Sequence, residues 1–597
     1  MTILVGEVIG INGIKITINL YEESNKDTLF YDGKTFKGVS IREFIQIKRG
    51  FKDIICIVEG EYLDEKRYQA NDDIRYYIRT VEARPIGYFE HKKFNEGVKH
   101  LPLIKDKVYL LEEDKLPDIF GRSDGNSFVI GKLLKENYPI SLRWDKIFNT
   151  HIGIFGNSGS GKSNTLTKLY TTLFSEKINN IIGKSKFIII DFNGEYTSDQ
   201  FVSSDNKVVY NLGTSGDGSQ FPLLEGEFWN IETLSILFQA TKNTQRPFIN
   251  RIILGRKRFL NNSDSLNIYF KKTFERIFTS ALPKPDSLDL IKELTEVLEL
   301  YDLSEKLSMV LWNVKDSYFY ILNNTFFNTD SKGYDKIFKT MVESVVFSNL
   351  DAFDEFKLRC NLQLINDLLS GYVQYEFIQP LLKRIDSSLN SLKEVISVIN
   401  EDIEQKTVTV ISLRKCNDQN IKKVLPLLIS KHYYNPHKNK VGNPPNSTVH
   451  LLIDEAHNIL SHQSTRETES WKDYRLEQFE EIIKEGRKFG FFLTLSSQRP
   501  ADISPTIMSQ IHNFFIHRLV NDRDLFLIDN TISTLDSISR NMIPNLSKGC
   551  CIVTGTSFDI PMVLQVDLLD KTQQPDSEDV DLVSLWSDNE RAQNLEE

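Results

Sequence analysis

The eight residues Gly156-Asn157-Ser158-Gly159-Ser160-Gly161-Lys162-Ser163 constrain this chain more than any other feature. They match GxxxxGK[ST] at every fixed position and lie between the apolar run HIGIFG and a helix expected from about Lys162. Glycines at this spacing let the backbone curl so that its N–H groups surround an anion. The following helix adds the positive end of its dipole. Strand, tight loop and helix in that order imply an α/β fold whose parallel sheet is covered by helices.

The rest of the chain supplies strands of the same kind. FIIIDFNG (187–194), VTVISL (408–413), STVHLLIDEAH (447–457), GFFLTLSSQRP (490–500) and FFIHRLV (514–520) are apolar on both faces or end in polar residues. CCIVTG (550–555) and MVLQVDL (562–568) read as closing strands. Residues 1–100 differ: ILVGEVIGI, GIKITINLY and DIICIVEGEYL are short β-branched runs separated by turn residues, as in a small barrel or sandwich. Residues 101–139 read as a connector with turn chemistry in GRSDGNS. The α/β core is then expected in two parts, 140–225 and 405–568, around an all-α insertion at 226–404. In the insertion TLSILFQAT, FINRIILGRKRFL, SLDLIKELTEVLELYDL and FIQPLLKRIDSSLNSLKEVISVI keep a period near 3.6 residues. YDKIFKTMVESVVFSNL also reads as helix, whereas MVLWNVKDSYFYIL is open to a strand reading.

Composition excludes several classes. With 40% hydrophobic and 26% charged residues the 597-residue chain is neither disordered nor fibrous. No apolar run is long enough for a membrane helix. The start MTILVGEVIG lacks a basic flank and is broken by Glu7, so no signal peptide is expected. Five cysteines without CxxC spacing argue against a disulfide framework or a zinc site, and the reading places the chain in a reducing cytoplasm. The net charge of −10 is misleading as a guide to partners. From Asp567 to Glu597 ten acids face two basic residues, so this tail carries most of the charge and the body is nearly neutral. Such a body can hold a local basic surface, and the tail, 569–597, is expected to lack structure.

Within the loop Lys162 is placed to reach the β- and γ-phosphates of a nucleotide, and Ser163 to bind Mg²⁺. Asp454 and Glu455 end the apolar run LLI; an acid delivered there suits the metal, and the next suits a general base. Gln498, at the end of LTLSS, either orients water and senses the γ-phosphate or is a plain strand-end hydrogen bonder. Arg487 in KEGRKFG and Arg518 are candidates for an arginine finger acting across a subunit boundary, against the alternative of solvated surface charges. Asp191 and Glu195 in DFNGEY either bind Mg²⁺-bound water, couple ATP to a neighbouring subunit, or cap a turn and helix. DEAH at 454–457 invites a DEAH-box reading, but Lys162 and Asp454 lie 292 residues apart and no second arginine-motif domain follows. LSGY (369–372) lacks the second glycine of an ABC signature and reads as a turn.

These stretches in order, with the block from 484 to 519 as the most specific part, resemble the HerA family within the HerA/FtsK branch of RecA-like P-loop ATPases. The resemblance implies a RecA-like core with an N-terminal HAS-type barrel and a helical bundle. It also implies a homohexamer that moves on double-stranded DNA with ATP and Mg²⁺. Gly156, Asn157, Ser158, Gly159, Ser160, Gly161, Lys162, Ser163 and Asn164 become the nucleotide-binding set, Asp454 a metal ligand, and Glu455 and Gln498 catalytic residues. Arg487 becomes the trans finger, and His151 a residue that touches nucleotide or caps locally. Since the chain shows no nuclease constellation, a partner nuclease, sirtuin-type enzyme or other effector is expected, with bacterial anti-phage defence as the setting. The alternative is an ATP-gated scaffold for such an effector without DNA movement. Arg414, Lys415, Arg466 and Lys472 are basic candidates for DNA contact or ordinary surface charges.

Overall fold

A computed structural model describes residues 3–577, Leu582 and Trp586, except 25, 32, 68–74, 121–124, 259–263, 323–324, 349, 402, 404, 464–468 and 559. Arg466, part of the GRSDGNS turn and most of the acidic tail thus lie outside the described residues. The chain divides into two units, Met1–Ile181 with Asp199–Val202 and Phe492–Glu597, and Ile182–Ser198 with Ser203–Phe491.

In the first unit the β-branched runs at the N-terminus alternate inward and outward, so each strand buries one face. Leu4–Asn12 pairs with Lys15–Leu20 and with Lys107–Leu110. Phe44–Arg49 pairs with Lys107–Leu110 and Lys52–Arg67, and Arg75–Glu90 pairs with Lys52–Arg67 and Lys15–Leu20. Six antiparallel strands therefore close into a barrel, which removes the exposed edges an open sheet would leave. Val5, Val8, Ile16, Ile18, Ile45, Ile47, Ile54 and Val81 fill it. The closing strand, Lys107–Leu110, falls inside the stretch read from sequence as connector.

The same unit carries a mixed sheet. Ile152–Phe155, wholly buried, lies parallel to Phe491–Ser497 and to Asn513–Ile516. Antiparallel strands continue it: Cys550–Gly555, Met562–Val566, Ser127–Leu133 and Pro139–Arg143.

The second unit carries parallel strands in the order Thr448–Ile453, Ser185–Asp191, Val408–Lys415, Lys207–Gly213. Its middle strands are buried along almost their whole length, which explains runs such as FIII and VTVISL with no polar alternation. The helical stretch between them buries a phenylalanine-rich core: the Phe278 ring lies 4.8 Å from Phe338 and 4.7 Å from Phe327. The expectation of an all-α insertion changes here in two places. The helix Tyr375–Val395 stops before ISVI, which instead pairs as Ile396–Ile399 with Phe221–Leu224; β-branched residues lose less rotamer freedom in a strand. The patch left open to a strand reading forms the strands Val310–Asn313 and Tyr318–Ile321, and Thr325–Phe326 beyond it adds a third. LSGY is a turn, with Gly371 at φ 72° closing the helix Ala352–Ser370.

Candidate active site

The candidate residues divide between the two units. In the first, the apolar strand Ile152–Phe155 delivers the glycine-rich loop and the helix Lys162–Ile181 leaves it. Gly159 and Gly161 hold φ of 72° and 104°, values that L side chains rarely adopt. A Cβ on Gly156 would lie 2.5 Å from the Cβ of His517, and one on Gly161 would lie 2.8 Å from the Gly549 Cα. The glycines thus serve two needs, the curl of the loop and its close seating on neighbouring backbone.

Four backbone bonds fix that seat. Gly156 N donates to Ser497 O (3.3 Å) and Asn157 N to Arg518 O (2.9 Å). Gly549 N donates to Ser160 O (2.9 Å) and His517 N to Phe155 O (2.7 Å). The Ser160 hydroxyl turns inward onto Asn157 O at 2.7 Å. Ser158 and Gly159 are exposed at the tip and Lys162 is buried at the start of the helix. N–H groups and a helix N-terminus converging on one loop make an anion site.

Gln498 follows Ser497, whose carbonyl anchors Gly156, so the structure brings it beside the start of the loop. Arg518 braces the same loop through its carbonyl, while its Nε donates to Pro544 O at 3.1 Å within the same chain. Two expected residues behave differently. Asn164 turns its amide to the Asp567 carbonyl (3.2 Å) and so ties the helix to the closing strand. His151 does not reach the loop. It precedes the opposite end of the strand, is 1% exposed, and its Nδ1 accepts the Leu493 N–H at 3.0 Å. The four-residue strand Ile152–Phe155 separates it from Gly156, a span of about 16 Å. Its place is that of a core histidine joining two strands.

In the second unit Asp454 ends the strand Thr448–Ile453 and is wholly buried. The Tyr196 hydroxyl, also buried, donates to Asp454 Oδ2 at 3.1 Å. Glu455 follows at φ 49°, the left-handed region, and its Oε2 lies 3.2 Å from His457 Nδ1. Backbone strain of this kind concentrates at working sites.

Asp191 is a turn acceptor. Its Oδ1 takes the N–H groups of Asn193 (3.2 Å), Gly194 (2.7 Å) and Glu195 (3.1 Å), and Oδ2 takes that of Tyr196 (3.0 Å). Burial, with the Asp454 charge adding to it, pushes its pKa up to about 6 against these bonds. A carboxylate already engaged by four N–H groups is spent on the turn rather than on a metal. Glu195, 9% exposed, accepts from Asn193 Nδ2 at 3.2 Å. Arg487 is exposed in the turn Gly486–Phe489; Arg414, Lys415 and Lys472 are exposed or half-buried, and Lys415 pairs with Asp217 at 2.9 Å.

The chemistry of the donors suits Mg²⁺, a hard ion that takes oxygen ligands, few of them from protein. A serine hydroxyl and a buried carboxylate are of that class. Among the described residues no cluster of three or more His, Cys, Asp or Glu forms a metal cage.

Comparison with known proteins agrees with this chemistry. A family profile described as "Helicase HerA, central domain" matches residues 128–366. The chain is 24% identical over 575 residues to the "Probable DNA double-strand break repair helicase HerA" of Methanocaldococcus jannaschii, spanning 90% of this chain and 96% of that one. Over that central region the chain is similar to the HerA family. It is a P-loop ATPase. It is also 24% identical over 480 residues to the "DNA double-strand break repair helicase HerA" of Sulfurisphaera tokodaii, covering 78% and 74% of the two chains. Among solved structures it is similar to VirB4 of Thermoanaerobacter pseudethanolicus, with a TM-score of 0.41, 12% identity, and 76% and 99% coverage.

Three residues of this chain were not assigned from sequence. Tyr196 stands inside DFNGEY, but no spacing rule shows that its hydroxyl reaches the next strand. His517 ends the apolar run FFIH, where a titratable residue is itself a signal. Gly549 precedes CCIVTG and marks a close backbone approach.

Proposed function

We propose that the protein is an ATP-driven motor that forms a homohexamer and moves on double-stranded DNA with a partner effector. The observation that carries the ATP part is the strand–loop–helix unit with Gly159 and Gly161 at positive φ and Lys162 at the helix start. The names of the relatives, DNA double-strand break repair helicases, support DNA as the track. In this reading Lys162 holds the phosphates, Glu455 takes the proton of the attacking water, and Gln498 orients that water. Arg487 is supplied by a neighbouring subunit to the charge that develops in the transition state. Ser163 and Asp454 would hold Mg²⁺, which neutralises phosphate charge when bound. Tyr196 keeps the Asp454 carboxylate in one orientation.

The effector is a nuclease, a sirtuin-type enzyme or another enzyme, and the setting is anti-phage defence in the cytoplasm. No helix among the described residues is long and apolar enough to cross a membrane.

The test is steady-state ATP hydrolysis with and without long double-stranded DNA, with Glu455→Gln as control. Stimulation that grows with DNA length and weakens steeply with salt supports translocation, since phosphate contacts release counterions. Hydrolysis indifferent to DNA refutes it and leaves an ATP-gated scaffold for the effector.

A further inference from the structure

His517 lies beneath the loop in the first unit and is fully buried. Its Cβ fills the space beside Gly156, and its Cε1 lies 3.7 Å from where a Gly161 Cβ would stand. The ring therefore runs along the underside of the loop from its first glycine to its last. Neither ring nitrogen makes a hydrogen bond of full geometry, although the Cys550 and Ser160 backbone lies near enough to act on the ring. Burial pushes the imidazole pKa down to about 4, while the backbone of Cys550 and Ser160 acts in the opposite direction and the Lys162 charge in the same one. The ring is neutral at physiological pH and so carries one N–H and one bare nitrogen. Leaving both unmade in the interior is costly, and buried polar groups in that condition call for an explanation.

The peptide above the ring supplies one. The Ser160 carbonyl already accepts the Gly549 N–H at 2.9 Å. A trans peptide points its N–H opposite to its carbonyl, so the Gly161 N–H points away from Gly549 and is free to face a phosphate. A carbonyl has a second lone pair, and it becomes a better acceptor when its own peptide N–H donates to an anion.

We infer that His517 is a positioning residue for the nucleotide: when phosphate fills the loop, its ring N–H closes onto the Ser160 carbonyl beside Gly549 and fixes the Gly161 N–H on the phosphate. The inference rests on the reading of this loop as the nucleotide site. Catalytic hydrogen bonds that are long without ligand commonly tighten in the complex.

The test uses the full chain and ADP, with binding by calorimetry and thermal midpoints measured without nucleotide. His517→Phe keeps the ring shape and removes both nitrogens. It is expected to melt at or above the parent midpoint and to bind ADP about five-fold more weakly, the value of one hydrogen bond. His517→Gln returns an N–H and recovers part of that affinity. If His517→Phe binds ADP as tightly as the parent, or loses stability in proportion to affinity, the ring only packs and the inference fails. Should that variant not fold, a crystal structure of the parent with ADP decides: a ring nitrogen about 3 Å from Ser160 O supports the contact, and two nitrogens still unpaired overturn it. If instead the parent does not bind ADP, or Lys162→Ala binds it equally well, the reading of the loop itself is wrong.

Discussion

Replacing Glu455 separates two things this residue does. Its φ of 49° places an L side chain in the left-handed region, which costs about 1–2 kcal/mol. Glycine adopts that region freely but loses about 0.5–1 kcal/mol more chain entropy on folding than alanine. Alanine and glycine both delete the carboxylate and its 3.2 Å contact with His457, so their difference isolates the backbone. Glu455→Gly should therefore be more stable than Glu455→Ala by about 0.5–1 kcal/mol. At an ordinary helix or strand position the order is reversed. Both variants, and Glu455→Gln, should bind ATP and hydrolyse it about 10²–10⁴-fold more slowly, the usual worth of a general base. Thermal melts at one protein concentration, with ATP turnover on the same samples, decide both points. An alanine variant as stable as the glycine variant refutes the strain; near-normal turnover by Glu455→Gln refutes the general base.

Lys162→Ala should abolish tight ADP binding in calorimetry while leaving the melting temperature of the nucleotide-free protein within a few degrees of the parent. For Arg487, the alanine variant mixed with Lys162→Ala should regain ATP hydrolysis, because some interfaces then pair an intact loop with an intact arginine; mixtures shown to co-assemble and still inactive refute trans action. Stability should fall on acidification. His450 and His517 are buried, with pKa values pushed down to about 3 and about 4, below the unfolded value of about 6.5. Both are neutral in the fold, so their contribution is full above pH 6.5 and is lost as pH falls towards 4 and 3. At pH 5 each costs about 2 kcal/mol. His450→Phe, which can keep the 4.5 Å stack on Phe187, should gain that much relative to the parent between pH 7 and 5, measured by denaturant titration. An unchanged difference across that range refutes the assignment.

The strands and the loop were legible because burial on both faces leaves long apolar runs and because GxxxxGK[ST] has few other uses. The barrel was legible as a kind of fold, but its closing strand Lys107–Leu110 was not. Four residues of KVYL are too few to show a period and are recruited by pairing partners roughly 60 and 100 residues away in sequence. ISVI was absorbed into a helix for the related reason that a parallel partner, Phe221–Leu224, cannot be read locally. His151 was misplaced because its position next to the strand was visible while its orientation was not: the ring turns to the Leu493 N–H of the neighbouring strand.

DFNGEY is the case in which structure changes the meaning of a motif. Its two acids left both Mg²⁺-bound water and a turn cap open, and Asp191 takes the second role, consumed by the N–H groups of the four residues from Asn193 to Tyr196. That turn has a product. By folding the chain back within five residues it carries Tyr196 to the next strand, where its hydroxyl meets Asp454 at 3.1 Å. A buried carboxylate without a donor is expensive, and a donor on a rigid turn fixes its orientation better than water does. The glycine between them is needed for the same reason, since Gly194 sits at φ 76° with the Arg414 side chain 2.8 Å from where its Cβ would be. The motif is therefore a brace: one strand end spends an acid, a glycine and a tyrosine to hold the acid on its neighbour. Tyr196→Phe tests this more sharply than Asp191→Asn, because the turn survives it and only the donor to Asp454 is removed.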